Sequence, residues 1–279
     1  MNILEKVTLG RHYYETALLL RESIFLNGIL TNVESWHGLS SAQIYQLETV
    51  DKLLLRKLLN TPVSTPTEAI YLELGILSIG TIIKARRLNF LHYLVTRSES
   101  EMVKKVFLLQ WYRPVQGDWS LSARQDLRAF GMDENLETIK CISKDSFKNM
   151  IKRKAHEYEF FRLMKLKQKH SKLSELSYSK LETQKYNMNT VGAQTLFKYR
   201  VRMANYGENF RGLAWPAVCP LCKNHLDNQK IGFENCKTLS DNVEISGDYM
   251  DIFCSVVPQK LVATLQKIEN FREEYVEKI

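Results

Sequence analysis

Apolar residues in the first half of the chain recur at three- and four-residue intervals, the period of a helix with one buried face. Ala17, Leu20 and Ile24 open the first run, and Ile29 and Leu30 carry it past Asn27 and Gly28 towards Trp36, with Gly28 weakening or ending the helix. A second helix is expected from Ser40, whose side chain can cap while Gln43 reaches back from three residues on. Ile44, Leu47, Val50 or Leu54, and Leu58 share its apolar face, and Asn60, Thr61 and Pro62 end it. Thr65 as N-cap, Pro66 at the first helical position and Glu68 closing a capping box start a third, with Ile70, Tyr71 and Leu74 apolar and Gly75 at its end. A longer helix is expected from about Ile79 to Arg97, with Ile79, Ile83, Phe90 and Leu94 facing inward and Lys84, Arg86 and Arg87 outward. After the turn Gly117-Asp118-Trp119-Ser120, a short helix buries Leu121, Leu127 and Phe130 before Gly131 stops it. Together these elements predict a compact helical bundle.

From Ser143 to about Leu176 the pattern changes. Lys144, Lys148, Lys152, Arg153, Lys154, Arg162, Lys165, Lys167, Lys169 and Lys172 are set against only Asp145, Glu157, Glu159 and Glu175. Phe147, Ile151, Tyr158, Phe161 and Met164 keep a partial apolar stripe, so the segment is an amphipathic helix with a basic outer surface. That surface reads equally as a solvated face and as a phosphate-binding one. Periodicity fades between Ser171 and Thr195, a Ser-, Thr- and Asn-rich boundary region. Val243 to Ile245 and Ile252 to Val257 carry short strand signals, and Lys260 to Lys278 returns to a helix with Leu261, Leu265, Ile268 and Phe271 on one face. The fold class is mainly α, divided as a bundle over 1–135, a basic helical connection over 136–195, and a small module with a C-terminal helix over 196–279.

Composition narrows the function. With 279 residues, 44% hydrophobic and 25% charged, the chain is expected to fold as one large or two small globular domains. The 39 Lys and Arg outnumber the 31 Asp and Glu for a net charge of +8, which favours polyanionic partners such as nucleic acid. No run approaches the roughly 18 apolar residues of a bilayer span, and Glu5 and Arg11 fall where a signal peptide needs an apolar stretch. The expected location is the cytoplasm or nucleus, with no membrane partner. Five cysteines, three of them clustered, fit reduced thiols and a metal site better than a disulfide framework.

The clustered thiols carry the strongest chemical signal. Cys219, Cys222, His225 and Cys236 follow the spacing C-x2-C-x2-H-x10-C, and zinc takes four such donors in a tetrahedron. Asp227 is a substitute ligand or an acceptor for the His225 ring. Four protein ligands make the zinc structural, a staple for a small module; the other reading is a turn with unligated thiols. Just upstream, Phe197-Lys198-Tyr199-Arg200-Val201-Arg202-Met203 and Asn209-Phe210-Arg211 interleave cations with rings, which suits phosphate contact with base stacking, or a helix packed beneath the zinc loop. The candidate nucleic-acid contacts are Lys148, Lys152, Arg153, Arg162, Lys165, Lys167, Lys169, Lys198, Arg200, Arg202 and Arg211. No paired aspartates for two magnesium ions, Gly-rich phosphate loop, H-E-x-x-H or G-x-S-x-G occurs, and Asp248 with Asp251 lacks the third carboxylate and lysine of a nuclease. The chain is expected not to be an enzyme by itself.

In order, LLLRESIFLNGILTNVESW, QLETVDKLLLRKLL, STPTEAIYLELGILSIGTIIKARRLNFLHYLV and GDWSLSARQDLRAFG resemble the thumb and its C-terminal extension in non-long-terminal-repeat retrotransposon reverse transcriptases. The segment CPLC-x2-H-x-D-x-Q resembles the zinc knuckle that ends many of those polyproteins. The likeness runs from about Leu18 to Cys236 and rests on the ordered set. It implies a thumb that holds a primer-template duplex and a knuckle that assists binding of RNA or target DNA. The fingers and palm are then expected before Met1, making an upstream palm fragment a partner and this chain a truncated or domesticated remnant. The chain departs from the family at Ile231, where the usual spacing has a histidine, and His225 is left as the nitrogen ligand. A helical protein-interaction scaffold and a remnant without function are the competing readings.

Overall fold

The structure, a computed structural model, describes residues 13–181, 190–209, 218–254, 257 and 259–276. Helix α1 (Tyr13–Leu20) passes unbroken into a π-helical turn, Arg21–Leu26, and closes with Asn27–Ile29. The helix therefore runs one residue beyond Gly28, around which there is open space. The widened turn sends Arg21 inward, where its guanidinium grips both oxygens of Asp51 at 2.7 Å. Asp51 lies on α2 (Ser41–Leu59), which starts at the expected capping box: Ser40 Oγ accepts from the Gln43 N–H, and the Gln43 side chain accepts from the Ser40 N–H at 2.9 Å. Asn60, left-handed at φ 48°, ends it. The buried face is Asp51, Leu55, Leu58 and Leu59, whereas Val50 is exposed. Ile44, Leu47 and Leu54 of the expected face are half-buried beside it, and the residue that apolar periodicity leaves out of that face is a carboxylate, Asp51, made tolerable inside by an arginine from another helix.

Helix α3 (Thr67–Leu74) begins one residue later than expected and has no side-chain cap. Pro66 is extended at ψ 129°, and Arg56 takes the Thr65 carbonyl at 3.1 Å, which holds that corner outside the helix. Gly75 ends it at φ 63°, the conformation for which glycine suits a helix C-terminus. All six residues from Ala69 to Leu74 are buried, so α3 runs through the interior. Helix α4 (Ile79–Thr96) matches its expected span and buries Ile79, Ile83 and Leu94, but Arg87 points inward, against expectation. Arg87 meets Asp126 at 2.7 Å, and Lys84 reaches the other oxygen of that carboxylate at 3.0 Å.

Helices α5 (Met102–Tyr112), α6 (Trp119–Ala129) and α7 (Leu136–Cys141) complete the bundle. The basic segment forms α8 (Lys144–Lys167), 24 residues capped by Ser143. Its buried residues, Phe147, Ile151, Ala155, Glu159, Leu163 and Lys167, form one row at four-residue spacing, while Phe161, expected in the apolar stripe, is 70% exposed. Helices α9 (Thr190–Arg200), α10 (Gln229–Asn235), α11 (Lys237–Asn242) and α12 (Gln259–Val276) follow. The expected strands are absent among the described residues. Residues 243–245 are irregular, and Tyr249–Phe253 is a short 3-10 helix, with residues 255 and 256 outside the described set; the lone β contact among the described residues is a bridge between Val218 and Leu226. No helix among the described residues is long and apolar enough to cross a membrane.

The cores cross the boundaries expected near 135 and 195. One joins α4 to α7 with Phe147, Ile151 and Ala155 of α8. The larger one runs from Leu55 and the buried face of α3 through Leu163, Leu173, Leu176 and Leu181 to α9, Cys219, Cys236 and α12. The stretch expected as a boundary thus supplies three buried leucines, and residues 182–189 of it lie outside the described set.

At the centre of the larger core, Glu73 of α3 is fully buried and faces Arg200 at the end of α9, with Nε–Oε2 at 2.9 Å and Nη2–Oε1 at 3.0 Å. The Tyr178 hydroxyl donates to the same carboxylate, and Arg200 Nη1 donates to the carbonyls of Ile252 and Cys254 at 2.8 Å each. Removing one partner of such a pair strands a charge in the interior, at a cost of about 3–5 kcal/mol. Arg200→Met is expected to lower the unfolding free energy by that amount and so to move the denaturant midpoint down; an unchanged midpoint would show that Arg200 does not carry the junction.

Candidate metal centre and basic face

The hairpin 218–226 turns tightly. The Cys219 N–H donates to the His225 carbonyl at 2.7 Å, the Lys223 N–H donates to the Cys219 carbonyl at 2.9 Å, and Lys223 adopts the left-handed conformation at φ 55°. This curl points the amides of Asn224 and His225 at the Cys222 sulfur. Cys236 arrives from the opposite side, at the junction where α10 ends and α11 begins. Gly232 lets α10 approach that closely: a Cβ there would stand 2.6 Å from the ring of Tyr206.

These elements bring the sulfurs of Cys219, Cys222 and Cys236 within 4.8 Å of one another. Cys219 and Cys236 are 3.9 Å apart, close to the edge of about 3.8 Å that a tetrahedron of zinc–sulfur bonds near 2.3 Å requires. The thiols are electrostatically unequal. Burial raises the Cys222 thiol, but donation from the Asn224 amide, the Cys219 and Cys236 thiols and the His225 amide outweighs it and holds Cys222 below the ordinary range. Burial pushes Cys236 up to about 12. The metal-free cluster therefore gives up a proton from Cys222 more readily than from Cys236, and a bound dication would favour the thiolate form of its sulfur ligands. In donor type, spacing and burial, these residues fit zinc.

The other two expected ligands are placed differently. The His225 ring stays outside the close set; the residue is exposed and contributes its backbone to the turn. Asp227 is buried and engaged elsewhere: Arg272 holds both carboxylate oxygens at 2.9 and 3.0 Å, and the Gly207 N–H donates to it at 2.6 Å. Arg272 also lies over the Tyr206 ring at 3.9 Å, so Asp227 ties the hairpin to α12 and does not face the sulfurs. Asp248 and Asp251 form a capping box around the short helix Tyr249–Phe253.

The structure also sorts the candidate nucleic-acid contacts. Arg200 is consumed by Glu73, and Lys167 sits in the buried row of α8, where desolvation lowers its affinity for a proton. Arg162 pairs with the buried Glu159 at 2.6 Å, Lys198 with Glu269 at 3.4 Å, and Arg202 with Glu175 at 3.1 Å. Arg211 lies outside the described residues. Lys148, Lys152, Arg153, Lys165 and Lys169 are exposed on α8 and after it, with Arg153 near Glu157 at 3.7 Å. Lys144, also exposed, precedes Lys148 and Lys152 at four-residue intervals, a line of ammonium groups rising about 6 Å per step.

Helical phase carries the signal that separates the two groups. Arg200 shares the α9 face of Ala193, Leu196 and Phe197, and Lys167 continues the row from Phe147 to Leu163. No protein-family model, curated protein or solved structure matches the chain.

Alkylation of the reduced, metal-free chain at neutral pH is expected to label Cys222 well before Cys236, with zinc protecting both; peptide mass spectrometry reads the order. Equal labelling of the two would contradict the charge distribution described here.

Proposed function

We propose that the chain is a non-catalytic, nucleic-acid-binding part of a non-long-terminal-repeat retrotransposon reverse transcriptase, with a structural zinc knuckle held by Cys219, Cys222 and Cys236. The observation that carries nucleic-acid binding is the solvent-facing set Lys144, Lys148, Lys152, Lys165 and Lys169, which remains after the buried arginines have found carboxylates. Lysines spaced in this way neutralise phosphates without reading bases, so RNA and DNA are both substrates for binding. Support for the knuckle is the convergence of three thiols at the place where the sequence resemblance puts it. Zinc there would cross-link the hairpin 218–226 to the α10–α11 junction. The duties of the chain's own residues are to fix that junction, through Gly232 and through Gln229, whose side-chain amide donates to the Tyr199 carbonyl at 2.8 Å and the Tyr249 hydroxyl at 3.1 Å, and to present α8.

This reading predicts steep salt dependence. Replacing Lys148, Lys152, Lys165 and Lys169 by Ala is expected to make the slope of log K against log salt shallower by about 3, from roughly 0.7–0.9 per phosphate contact. Affinity for RNA at low salt should fall at least tenfold while the unfolding midpoint stays put. A quadruple variant that binds like the parent would overturn the reading.

A second reading, a helical protein-interaction scaffold, is favoured by one observation. Helix α5 buries Phe107 and Trp111 on one side but exposes Met102, Val106, Leu109 and Tyr112 on the other. Under that reading Val106→Glu with Leu109→Glu abolishes partner binding and the lysine variant does not; unaltered binding by the glutamate variant removes it.

A further inference from the structure

Three thiolates leave a tetrahedral ion one donor short. Among the described residues, the other donors near the hairpin are engaged or stand apart. Asp227 is held by Arg272 and the Gly207 N–H, and the Glu208 carboxylate accepts from Asn228 Nδ2 at 2.8 Å and the Gln229 N–H at 3.0 Å. The His225 ring and Cys254 are outside the close set. The eight residues immediately before the hairpin, 210–217, contain no His, Cys, Asp or Glu.

The two sides of the cluster also differ in exposure. Cys219 and Cys236 are buried, at 2% and 3% exposure, while Cys222 is partly exposed and Lys223, Asn224, His225 and Leu226 after it all face solvent. Any route to the ion from solution therefore lies on the Cys222 side.

We infer that this centre, resting on the zinc reading above, keeps its fourth coordination position open to solvent and fills it with a small exogenous donor. Water occupies it at rest, and an imidazole or a low-molecular-weight thiol exchanges in. Three thiolates around a dication carry a net single negative charge, so a neutral nitrogen donor is favoured by charge and a thiolate by softness. The exchange forms one metal–ligand bond and breaks the bond to water; it involves no redox step. A closed four-ligand knuckle lacks this property, and the centre described here would pass its metal to competing thiols more readily than a closed one.

Cobalt(II) substitution of the reduced full-length chain tests this, because thiolate-to-cobalt charge-transfer and d–d bands report the donor set directly. Added imidazole, and separately added 2-mercaptoethanol, are expected to shift the visible bands saturably, by the same amount in the parent and in His225→Ala. Bands that ignore both additions mean that a donor of the chain closes the site, and the inference falls. Bands altered by His225→Ala alone mean that its imidazole is the fourth ligand, with the same consequence. Failure to take up cobalt or zinc at all removes the metal reading itself, an outcome distinct from a bound but closed ion.

Discussion

A carboxylate on the buried stretch of a helix must meet a positive charge, and Glu73, near the C-terminal end of α3, imposes that demand on the whole fold. Arg200 answers it from the end of α9 and spends its remaining donors on the carbonyls of Ile252 and Cys254, while Tyr178 closes the other side of the carboxylate. Three stretches of chain distant in sequence are thereby registered against one side chain. The small C-terminal region takes its place from this junction: α9 leads to Tyr206, Tyr206 packs on Gly232 of α10, and α10 delivers Cys236 to the sulfurs of the hairpin.

The same device recurs. Asp51, Asp126, Glu159 and Asp227 are also buried, and each faces an arginine: Arg21, Arg87, Arg162 and Arg272. Pairs of this kind contribute little net stability compared with apolar packing, but each leaves a large penalty for any arrangement that separates the partners. Arginine suits the task because its planar fork satisfies both carboxylate oxygens at once. The net charge of +8 is therefore a misleading guide to the surface when read residue by residue. Arginines near the core are committed internally, while α8 and the turn after it keep Lys144, Lys148, Lys152, Lys165 and Lys169 exposed.

That division explains what the sequence could and could not disclose. Helices with local signals were legible: the Ser40–Gln43 capping box, Gly75 and the span of α4 follow from neighbouring residues alone. The Cys-x2-Cys pair likewise announced a thiol cluster, and Cys236 joins it. Buried polar residues were not legible, because the partners that make Asp51, Arg87 and Arg200 tolerable inside come from other elements. Arg87 therefore read as an outward-facing residue and Arg200 as a nucleic-acid contact, while Asp51 carried no sign that it belongs to the buried face of α2. The strand signals at 243–245 and 252–254 failed for a related reason: a β-rich stretch without a neighbouring strand to pair with settles into turns and capped 3-10 helix, and residues 255 and 256 of the second stretch lie outside the described set. His225 matched the ligand pattern in sequence, yet the turn uses its backbone.

The central claim is that the thiol cluster and the α3–α9 junction belong to one cooperative core. Differential scanning calorimetry of the zinc-loaded chain, repeated after a chelator strips the metal, tests it most directly. One shared core predicts that the transition containing α3 and α9 moves to lower temperature as a unit when zinc is removed. A transition that stays in place, with only a small separate one lost on chelation, would contradict the account and make the zinc region an independent appendage.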